Sequence, residues 1–290
     1  MARSRTRHLS TIVFATLAIV GAVSTVSSAS AGTRALAPGD HTFNLTVQGI
    51  HRSFILHVPP GPAAVQRPLV LVYHGSRASA QGTIGVTNFV GESNKNGELV
   101  AFLQGVNDHW NEYSGVFRGG GINDVTYTLD VIRVIEAKVP FDHARIVASG
   151  FSNGALMVES LGCQLATTIA MVVPVEGQLT TSMVKRCRPA RAISVYEIHG
   201  TADATIAYGG GGILGALSAP KSAAKWASYD HCATRPATTK PNRGMEITTY
   251  TKCRGSVKVM LRTIIGGVHR WTPGIGEIVA AAFPWSKPAR

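Results

Sequence analysis

Short runs of apolar residues alternate with stretches of helical periodicity along most of the chain. The segment Pro68–Tyr73 is almost entirely apolar, which is typical of a strand buried on both faces. Further on, Val125, Leu129, Ile132 and Ile135 recur at the three- or four-residue spacing of one helix face. The pattern therefore predicts strands and helices that follow one another in turn.

The same patterns predict the other elements. Strands are expected at 53–58, 68–73, 99–103, 145–149, 170–175, 193–198 and 257–264, and helices at 123–138, 153–165, 220–229 and 277–282. Because strands that alternate with helices favour a mostly parallel sheet covered on both faces, we predict an α/β fold. In such sheets, functional sites form at the carboxyl ends of the strands.

One short segment matches the turn that presents a catalytic serine. Gly150, Ser152 and Gly154 form a G-x-S-x-G motif. Chance could supply this motif in a chain with 31 glycines, so the motif alone decides little. Its position just after one predicted strand and just before a predicted helix is the position that a nucleophile requires. We therefore predict that Ser152 is a nucleophile.

Two further residues could supply the base and the orienting carboxylate that a serine nucleophile needs. Asp203 ends the segment ISVYEIHGTAD and His269 ends the segment IIGGVH, so each follows a predicted strand. Both are therefore expected at the sheet edge that holds Ser152. The chain order serine, aspartate, histidine is that of the α/β-hydrolase fold. The alternative loop candidates are Asp142, Asp230 and His231.

The oxyanion that forms in such a reaction needs backbone donors close to the nucleophile. Asn153 follows Ser152 directly, so its N–H is one candidate. The second candidate is the N–H of Ser76 in the segment YHGS, where Gly75 permits a sharp turn after a buried strand. His74 is expected to order this loop through hydrogen bonds.

The beginning of the chain has the pattern of an export signal. Three arginines precede an apolar run over residues 11–23, and the ASA at 29–31 fits a signal-peptidase site. We predict a secretory signal peptide over 1–31 and one α/β-hydrolase catalytic domain over 32–290. The apolar run is shorter than the ~20 residues of a transmembrane helix, so we expect a secreted protein without a membrane anchor.

Two other patterns are weak evidence for other functions. The formal net charge is +12, but Lys and Arg are dispersed and form no stripe with interleaved aromatic residues. We therefore expect no nucleic-acid partner. The segment Gly210–Gly215 matches G-x-G-x-x-G, but it does not directly follow a predicted strand, so we expect a loop beside the active site and no dinucleotide cofactor.

The four cysteines are expected to form disulfides in an exported protein. Three pairings are possible, and we favour Cys163–Cys187 with Cys232–Cys253 because these close short local loops. Their spacing is unlike that of a zinc site, so no metal is expected.

Several segments together resemble the secreted poly(3-hydroxybutyrate) depolymerase and feruloyl esterase family. The segments are YHGS, Trp110-Asn111, GINDVTYTLDVI, GFSNGALM, HGTAD and GGVHRW, and the resemblance runs from about residue 42 to residue 271. It implies an α/β-hydrolase with Ser152 as nucleophile, Asp203 as orienting acid and His269 as base. It also implies oxyanion donors at Ser76 and Asn153, and it supports the cysteine pairing.

The sequence departs from this family at two places. Asn123 stands where many members have an aspartate, but Asn caps a helix as well as Asp does. Val268 replaces a third glycine beside the predicted base, which could change the flexibility of that loop. Trp271, Trp110 and His74 are predicted to contribute to substrate binding.

The sequence thus predicts a secreted, monomeric serine esterase that needs no cofactor. Its substrates would be polyhydroxybutyrate-type oligomers or feruloyl or acetyl esters. Two alternatives stay open: a catalytically silent binding protein on a hydrolase scaffold, and a serine peptidase of the same fold.

Overall fold

The structure, a computed structural model, describes Met1 and residues 36–62, 66–112 and 122–286. Ala35–Arg290 is one compact unit. The predicted signal peptide lies outside the described residues except for Met1. Within the described part of the chain, no helix combines the length and the apolar character needed to cross a membrane.

A sheet of ten strands runs through the described part of this unit. The strands are β1 Gly39–Val47, β2 Ile50–Val58, β3 Arg67–Tyr73, β4 Leu99–Leu103, β5 Phe141–Phe151, β6 Met171–Val175, β7 Ser194–Gly200, β8 Ala237–Asn242, β9 Met245–Tyr250 and β10 Val259–Ile264. Their order is β1-β2-β4-β3-β5-β6-β7-β10-β9-β8. From β4 to β10 all neighbours are parallel, and antiparallel strands cover both edges. The predicted mostly parallel sheet is confirmed.

Helices cover both faces of this sheet. They are α1 Ala80–Val86, α2 Phe89–Asn96, α3 Asp124–Glu136, α4 Asn153–Gln164, α5 Thr181–Arg186, α6 Ala219–Tyr229 and α7 Ile275–Ser286, with a short 3-10 turn at Arg254–Ser256. One core, on the side of α3, α4 and α6, contains Leu69, Leu71 and Tyr73 of β3. The other core, on the side of α1, α2 and α7, contains Val70 and Val72. Strand β3 is apolar at nearly every position because it is buried on both faces.

Side-chain caps explain where several helices begin. Asn123 precedes α3, and its Oδ1 accepts a hydrogen bond from the N–H of Thr126 at 3.0 Å. The expected capping role of this residue is therefore confirmed. Ser79 caps α1 in the same way, accepting from the N–H of Gly82 at 3.0 Å.

Two disulfides are present, one joining α4 to the end of α5 and the other joining the segments that follow α6 and β9. Cys163 in α4 is bonded to Cys187, which ends α5. Cys232, three residues after α6, is bonded to Cys253, which follows β9. Both expected pairings are present, and each closes a loop of fewer than 25 residues (24 and 21).

Candidate active site

Strand β5 passes directly into helix α4 through a strained turn at Ser152. Ser152 has φ 56° and ψ −120°, a conformation that side chains rarely adopt. A Cβ on Gly150 would lie 2.3 Å from the carbonyl oxygen of Gly154, and a Cβ on Gly154 would lie 2.3 Å from that of Tyr73. Both glycines are therefore required for the turn to form, and the turn leaves Ser152 partly exposed at the sheet edge.

The structure brings the three predicted residues into one hydrogen-bonded chain. His269 Nε2 lies 2.9 Å from Ser152 Oγ, and His269 Nδ1 lies 2.7 Å from Asp203 Oδ2. Because a carboxylate can only accept, Nδ1 carries the proton and Nε2 can accept the proton of the serine hydroxyl. Asp203 is fully buried at its side chain, whereas that of His269 is 17% exposed. The arrangement has the geometry of a nucleophile, a base and an orienting acid.

A close contact between two loops places His269 beside Asp203. A Cβ on Gly200, at the end of β7, would lie 2.3 Å from the carbonyl oxygen of Gly267. That same oxygen accepts a hydrogen bond from the N–H of Ala202 at 2.9 Å. Gly266 supplies the left-handed turn with φ 70°, and Val268 points outward with half of its surface exposed. The two glycines before Val268 are therefore enough to form this tight loop.

The hydrogen bonds around Asp203 favour its ionised form. The backbone N–H groups of Thr205 and Ile206 donate to Asp203 Oδ1 at 2.7 and 2.9 Å. Burial acts to raise the pKa of Asp203, but hydrogen bonds from His199, His269 and these two amides outweigh it and lower the pKa well below its ordinary value. The carboxylate is thus charged at neutral pH.

Glu176 and His199 belong to the same group of side chains, although sequence reasoning missed both. Glu176 directly follows β6, is 1% exposed and has φ 53°. His199 Nε2 donates to the carbonyl of Ile206 at 2.8 Å and lies 3.3 Å from Asp203 Oδ2. An acidic residue at the end of a parallel strand was the available signal for Glu176, since the same rule identified Asp203.

Glu176, His199 and Asp203 also have the spacing of metal ligands, with candidate ligand atoms within 4.8 Å of one another. The atoms are already engaged with protein groups. Both oxygens of Asp203 accept N–H bonds, and His199 Nε2 donates to a carbonyl. We therefore assign no metal to this cluster.

The two predicted oxyanion donors are the backbone N–H groups of Asn153, directly after Ser152, and of Ser76, which lines the pocket beside Phe151. Asn153 is the first residue of α4, where backbone N–H groups have no acceptor within the helix. Among the described residues, the N–H of Ser76 has no hydrogen-bond acceptor. Gly75 is needed before it because a Cβ there would lie 2.8 Å from the ring of Phe151. Both N–H groups are therefore free to bind an anionic oxygen.

Trp110 does not have the predicted substrate-binding position. It is fully buried, its Nε1 donates to the carbonyl of His74 at 2.8 Å, and its N–H donates to Asn153 Oδ1 at 2.7 Å. Burial in the core prevents contact with a ligand, so the prediction for Trp110 is wrong in this structure. Instead, Trp110 connects the loop after β3 to the beginning of α4.

His74 is likewise fully buried and orders the loop rather than facing a ligand. The N–H of Gly105 donates to His74 Nε2 at 3.0 Å, so Nδ1 carries the proton and donates to the carbonyl of Gly75 at 2.8 Å. Burial lowers the pKa of His74, which favours this neutral form. The loop-ordering role is supported, whereas a substrate-binding role for the side chain is not.

A pocket of about 580 Å³ adjoins this site. Phe151 and Trp271 form its aromatic part, and their ring centroids are 5.5 Å apart. Phe151 also lies 4.7 Å from the ring of His269, so the aromatic wall is continuous with the proposed base. The remaining lining residues are Gly75, Ser76, Arg77, Ala78, Ser79, Gly82, Thr83, Val86 and Asp108. Trp271 lines this pocket, and its role in substrate binding stays a prediction. Phe151 was missed because it is the variable position of the motif.

Comparisons with known proteins relate this chain to esterases. No protein-family model matches the chain. Feruloyl esterase B of Piromyces equi is 31% identical over 215 residues, which are 70% of this chain and 39% of that protein. The acetyl xylan esterase from Aspergillus awamori has a TM-score of 0.65 at 13% identity over 84% of this chain and 99% of that one. A CE1 ferulic acid esterase from Anaeromyces mucronatus has a TM-score of 0.53 at 11% identity over 86% and 90% of the two chains. The chain has the α/β-hydrolase fold and is related in sequence to esterases, of whose length it spans less than half.

The glycine-rich segment of this α/β-hydrolase forms a closed turn and not a dinucleotide site. Gly211 and Ala216 exchange two backbone hydrogen bonds of 2.8 and 3.1 Å. Helix α6 begins only at Ala219, after the cap Ser218, and β7 ends at Gly200. The segment therefore lacks the direct strand-to-helix junction that binds a pyrophosphate.

Proposed function

We propose that this α/β-hydrolase is a secreted serine esterase that cleaves carboxylic esters through an acyl-enzyme. The observation that carries the proposal is the hydrogen-bonded chain from Ser152 through His269 to Asp203 at a strained strand-to-helix turn. The relationship to feruloyl esterase B supports ester hydrolysis as the reaction. The two disulfides suit an extracellular location.

The first half of the reaction forms the acyl-enzyme. His269 Nε2 accepts the hydroxyl proton while Ser152 Oγ attacks the ester carbonyl, and Asp203 stabilises the resulting imidazolium. The N–H groups of Ser76 and Asn153 stabilise the negative oxygen. Losing one such donor typically costs about 2.7–4 kcal/mol of transition-state stabilisation. The imidazolium then gives its proton to the departing alcohol.

The second half regenerates the enzyme. Water takes the place of the alcohol and gives a proton to His269 as it attacks the acyl carbon. The tetrahedral intermediate collapses, the carboxylic acid leaves, and Ser152 recovers its proton from His269. Each proton therefore moves through one imidazole nitrogen, Nε2, while Nδ1 stays bonded to Asp203.

The pocket favours esters whose acyl group has a flat or apolar part. Phe151 and Trp271 offer ring faces, and the Ser79 hydroxyl, which accepts as the cap of α1, still has a proton to donate. This combination suits feruloyl esters best. Short acetyl esters and 3-hydroxybutyrate oligomers are the other substrates to test. A soluble ester is favoured over a polymer surface because the pocket, about 580 Å³, has the volume of a small-molecule site.

The decisive experiment compares purified wild type, Ser152→Ala and Ser160→Ala on short p-nitrophenyl esters and methyl ferulate. Ser160 is a buried serine of the same helix and serves as the matched control. We expect Ser152→Ala to lose activity by on the order of a million-fold and Ser160→Ala to retain it. Equal rates for wild type and Ser152→Ala would contradict the mechanism.

A fluorophosphonate probe separates the esterase from a silent binding protein. The wild type should be labelled at Ser152, because the probe requires an activated serine. Intact, folded protein that is never labelled would favour the binding protein. Cleavage of peptides without cleavage of esters would favour a serine peptidase.

A further inference from the structure

A second buried carboxyl group lies against Asp203. Glu176 is 1% exposed and follows the last residue of β6, while Asp203 lies in the turn after the neighbouring strand β7. Ligand atoms of the two side chains lie within 4.8 Å of each other, and both carboxyl groups face His199 Nε2, at 3.5 Å from Glu176 Oε2 and 3.3 Å from Asp203 Oδ2. Because two buried negative charges this close together repel each other, we expect one of the two carboxyl groups to carry a proton.

The hydrogen bonds decide which carboxyl group is protonated. Asp203 accepts from two backbone amides and from His269, whereas His199 Nε2 lies at nearly the same distance from Asp203 and from Glu176, 3.3 and 3.5 Å, and does not distinguish them. Glu176 accepts from one backbone amide, the N–H of Gly200, at 3.2 and 3.0 Å. The negative charge is therefore stabilised much better on Asp203, and Glu176 holds the proton.

The surrounding charges agree with this assignment. Burial raises the pKa of Glu176 to about 8, the amide of Gly200 acts in the opposite direction, and Asp203 adds to the increase. Arg270 is the facing cation and lowers the pKa slightly. His199, the other titratable neighbour, has its Nε2 proton directed at the carbonyl of Ile206.

We propose that protonated Glu176 is a positioning residue, which donates a hydrogen bond to Asp203 and so fixes the carboxylate that orients His269. The proposal rests on the esterase function above. Glu176 does not contact the substrate or Ser152, and it acts only through Asp203. Its left-handed backbone conformation, φ 53°, is consistent with a residue held in place for such a contact.

The test compares kcat and KM of wild type, Glu176→Gln and Glu176→Ala over about pH 6 to pH 10. This range brackets the pKa of about 8 of Glu176. Gln keeps a neutral hydrogen-bond donor at the same place, so its kcat at neutral pH should stay within about threefold of wild type. Ala removes the donor, so kcat should fall by on the order of tenfold to a hundredfold with KM nearly unchanged.

The pH profile distinguishes positioning from a merely structural role. In wild type, deprotonation of Glu176 places a second negative charge against Asp203 and removes the hydrogen bond, so kcat should decline as the pH rises through about 8. Glu176→Gln cannot ionise and should lack this decline. Glu159→Gln is the matched control, because Glu159 is also fully buried with its pKa raised to about 8, but it bonds Trp226 in the core. Its profile should equal that of wild type.

A proton NMR signal supplies a readout that does not require turnover. The Nδ1 proton of His269, bonded to Asp203, should give a low-field resonance that changes with the ionisation of Glu176 in wild type and not in Glu176→Gln. An unchanged kcat and profile in both Glu176 variants, or an alkaline decline that persists in Glu176→Gln, would overturn the proposal. If Glu176→Ala fails to fold, the pH profile of Glu176→Gln still tests the proposal. Failure of the esterase function itself would appear separately, as wild type that neither hydrolyses esters nor reacts with the fluorophosphonate.

Discussion

Trp110 connects three parts of the site at the level of single atoms. Its indole N–H donates to the carbonyl of His74, and its peptide groups bond the side-chain amide of Asn153 in both directions, at 2.7 and 3.2 Å. These contacts hold the loop of Ser76 against the beginning of α4. The distance between the two proposed oxyanion donors, the N–H groups of Ser76 and Asn153, therefore depends on a buried residue.

Replacing Trp110 tests this connection. In Trp110→Phe the ring remains but the carbonyl of His74 loses its donor, which should lower the free energy of unfolding by about 1–3 kcal/mol. We expect kcat for p-nitrophenyl acetate to fall as well, because the donor at Ser76 becomes less well positioned. Trp226→Phe is the control, since the Nε1 of Trp226 bonds Glu159 away from the site. It should lose stability with kcat unchanged, and equal kcat values for all three proteins would refute the connection.

Trp271 should determine preference among acyl groups. Its ring lies between Phe151 and Phe89, with centroids 5.5 and 6.3 Å away, and it lines the pocket. In Trp271→Ala, KM for methyl ferulate should rise by about tenfold, because a stacked aromatic contact contributes about 0.5–1.5 kcal/mol beyond its buried area. KM for an acetyl ester should change little. A parallel loss for both substrates would assign Trp271 to the core instead.

The sequence allowed a site residue to be predicted where that residue comes shortly after a predicted strand. Ser152, Asp203 and His269 each come after an apolar run, so their meeting at one edge could be foreseen. Trp110 could not be placed, because the sequence does not reveal whether an aromatic residue in a loop turns inward. Glu176 was open to the same strand-end argument as Asp203, but its proton depends on the three-dimensional distance between two carboxyl groups.

At the scale of elements, the turn between β5 and α4 determines where the nucleophile stands. The strand runs through Phe151, two residues beyond the predicted end, and the helix begins at Asn153. The helix approaches β3 so closely that Gly154 has no space for a side chain against the carbonyl groups of Tyr73 and His74. Because α4 packs this closely on β3, the chain must turn sharply between β5 and α4, and Ser152 is the residue that takes the strained conformation.

Gly154→Ala should therefore disrupt the turn. A Cβ 2.3 Å from a backbone oxygen forces the helix away from the strand, so both stability and kcat should fall. Gly91→Ala in α2 is the matched control, because Gly91 is exposed and a Cβ there meets nothing within 4 Å. That variant should gain about 0.5–1 kcal/mol in the free energy of unfolding. Urea unfolding and kcat measured on both proteins check the prediction, and a fully active Gly154→Ala would contradict it.

Helices and strands with a clear hydrophobic periodicity were predicted from the sequence. Most of those that were missed are defined instead by pairing with a neighbouring strand or by local caps and turns. β8 is exposed at every position, so its sequence contains no buried face, and pairing with β9 defines it. Helices α1 and α2 contain three glycines between them and are short, and the cap at Ser79 and the left-handed turn at Gly97 set their limits. β1 alternates half-buried and exposed residues up to the buried Val47, so its pattern was present in the sequence and was overlooked.

At the scale of the whole molecule, the core contains carboxyl groups that burial keeps neutral. Burial raises the pKa of Glu159 to about 8, and the pKa of its neighbour Glu197 is raised by burial and by Glu159. Burial also raises the pKa of Asp230 to about 7. Glu159 and Glu197 lie between α4, β7 and α6, where Trp226 and Ser222 donate to them at 2.6 Å. Their charge states therefore affect the packing of helices on the sheet.

These groups should make the protein less stable as the pH rises. A carboxyl group whose folded-state pKa exceeds its unfolded value binds its proton more tightly in the folded state, so its stabilising contribution is complete below the unfolded pKa. For Glu159 that contribution is lost between its ordinary value of 4.5 and about 8. Each such group lowers the free energy of unfolding by about 1.4 kcal/mol per pH unit within its range. Asp203 acts in the opposite direction, but only at acidic pH, because its folded-state pKa is lowered.

Glu159→Gln tests this dependence, because Gln keeps an acceptor for the indole of Trp226 and cannot ionise. Urea unfolding of wild type should give a free energy that falls steadily from about pH 5 to pH 8, and the slope should be smaller in Glu159→Gln by about 1.4 kcal/mol per pH unit. Glu136→Gln is the control, since 54% of the Glu136 side chain is exposed and it should keep the wild-type slope. If Glu159→Gln and Glu136→Gln have the same slope, Glu159 is already ionised in the folded protein. In that case burial between α4, β7 and α6 does not keep it neutral.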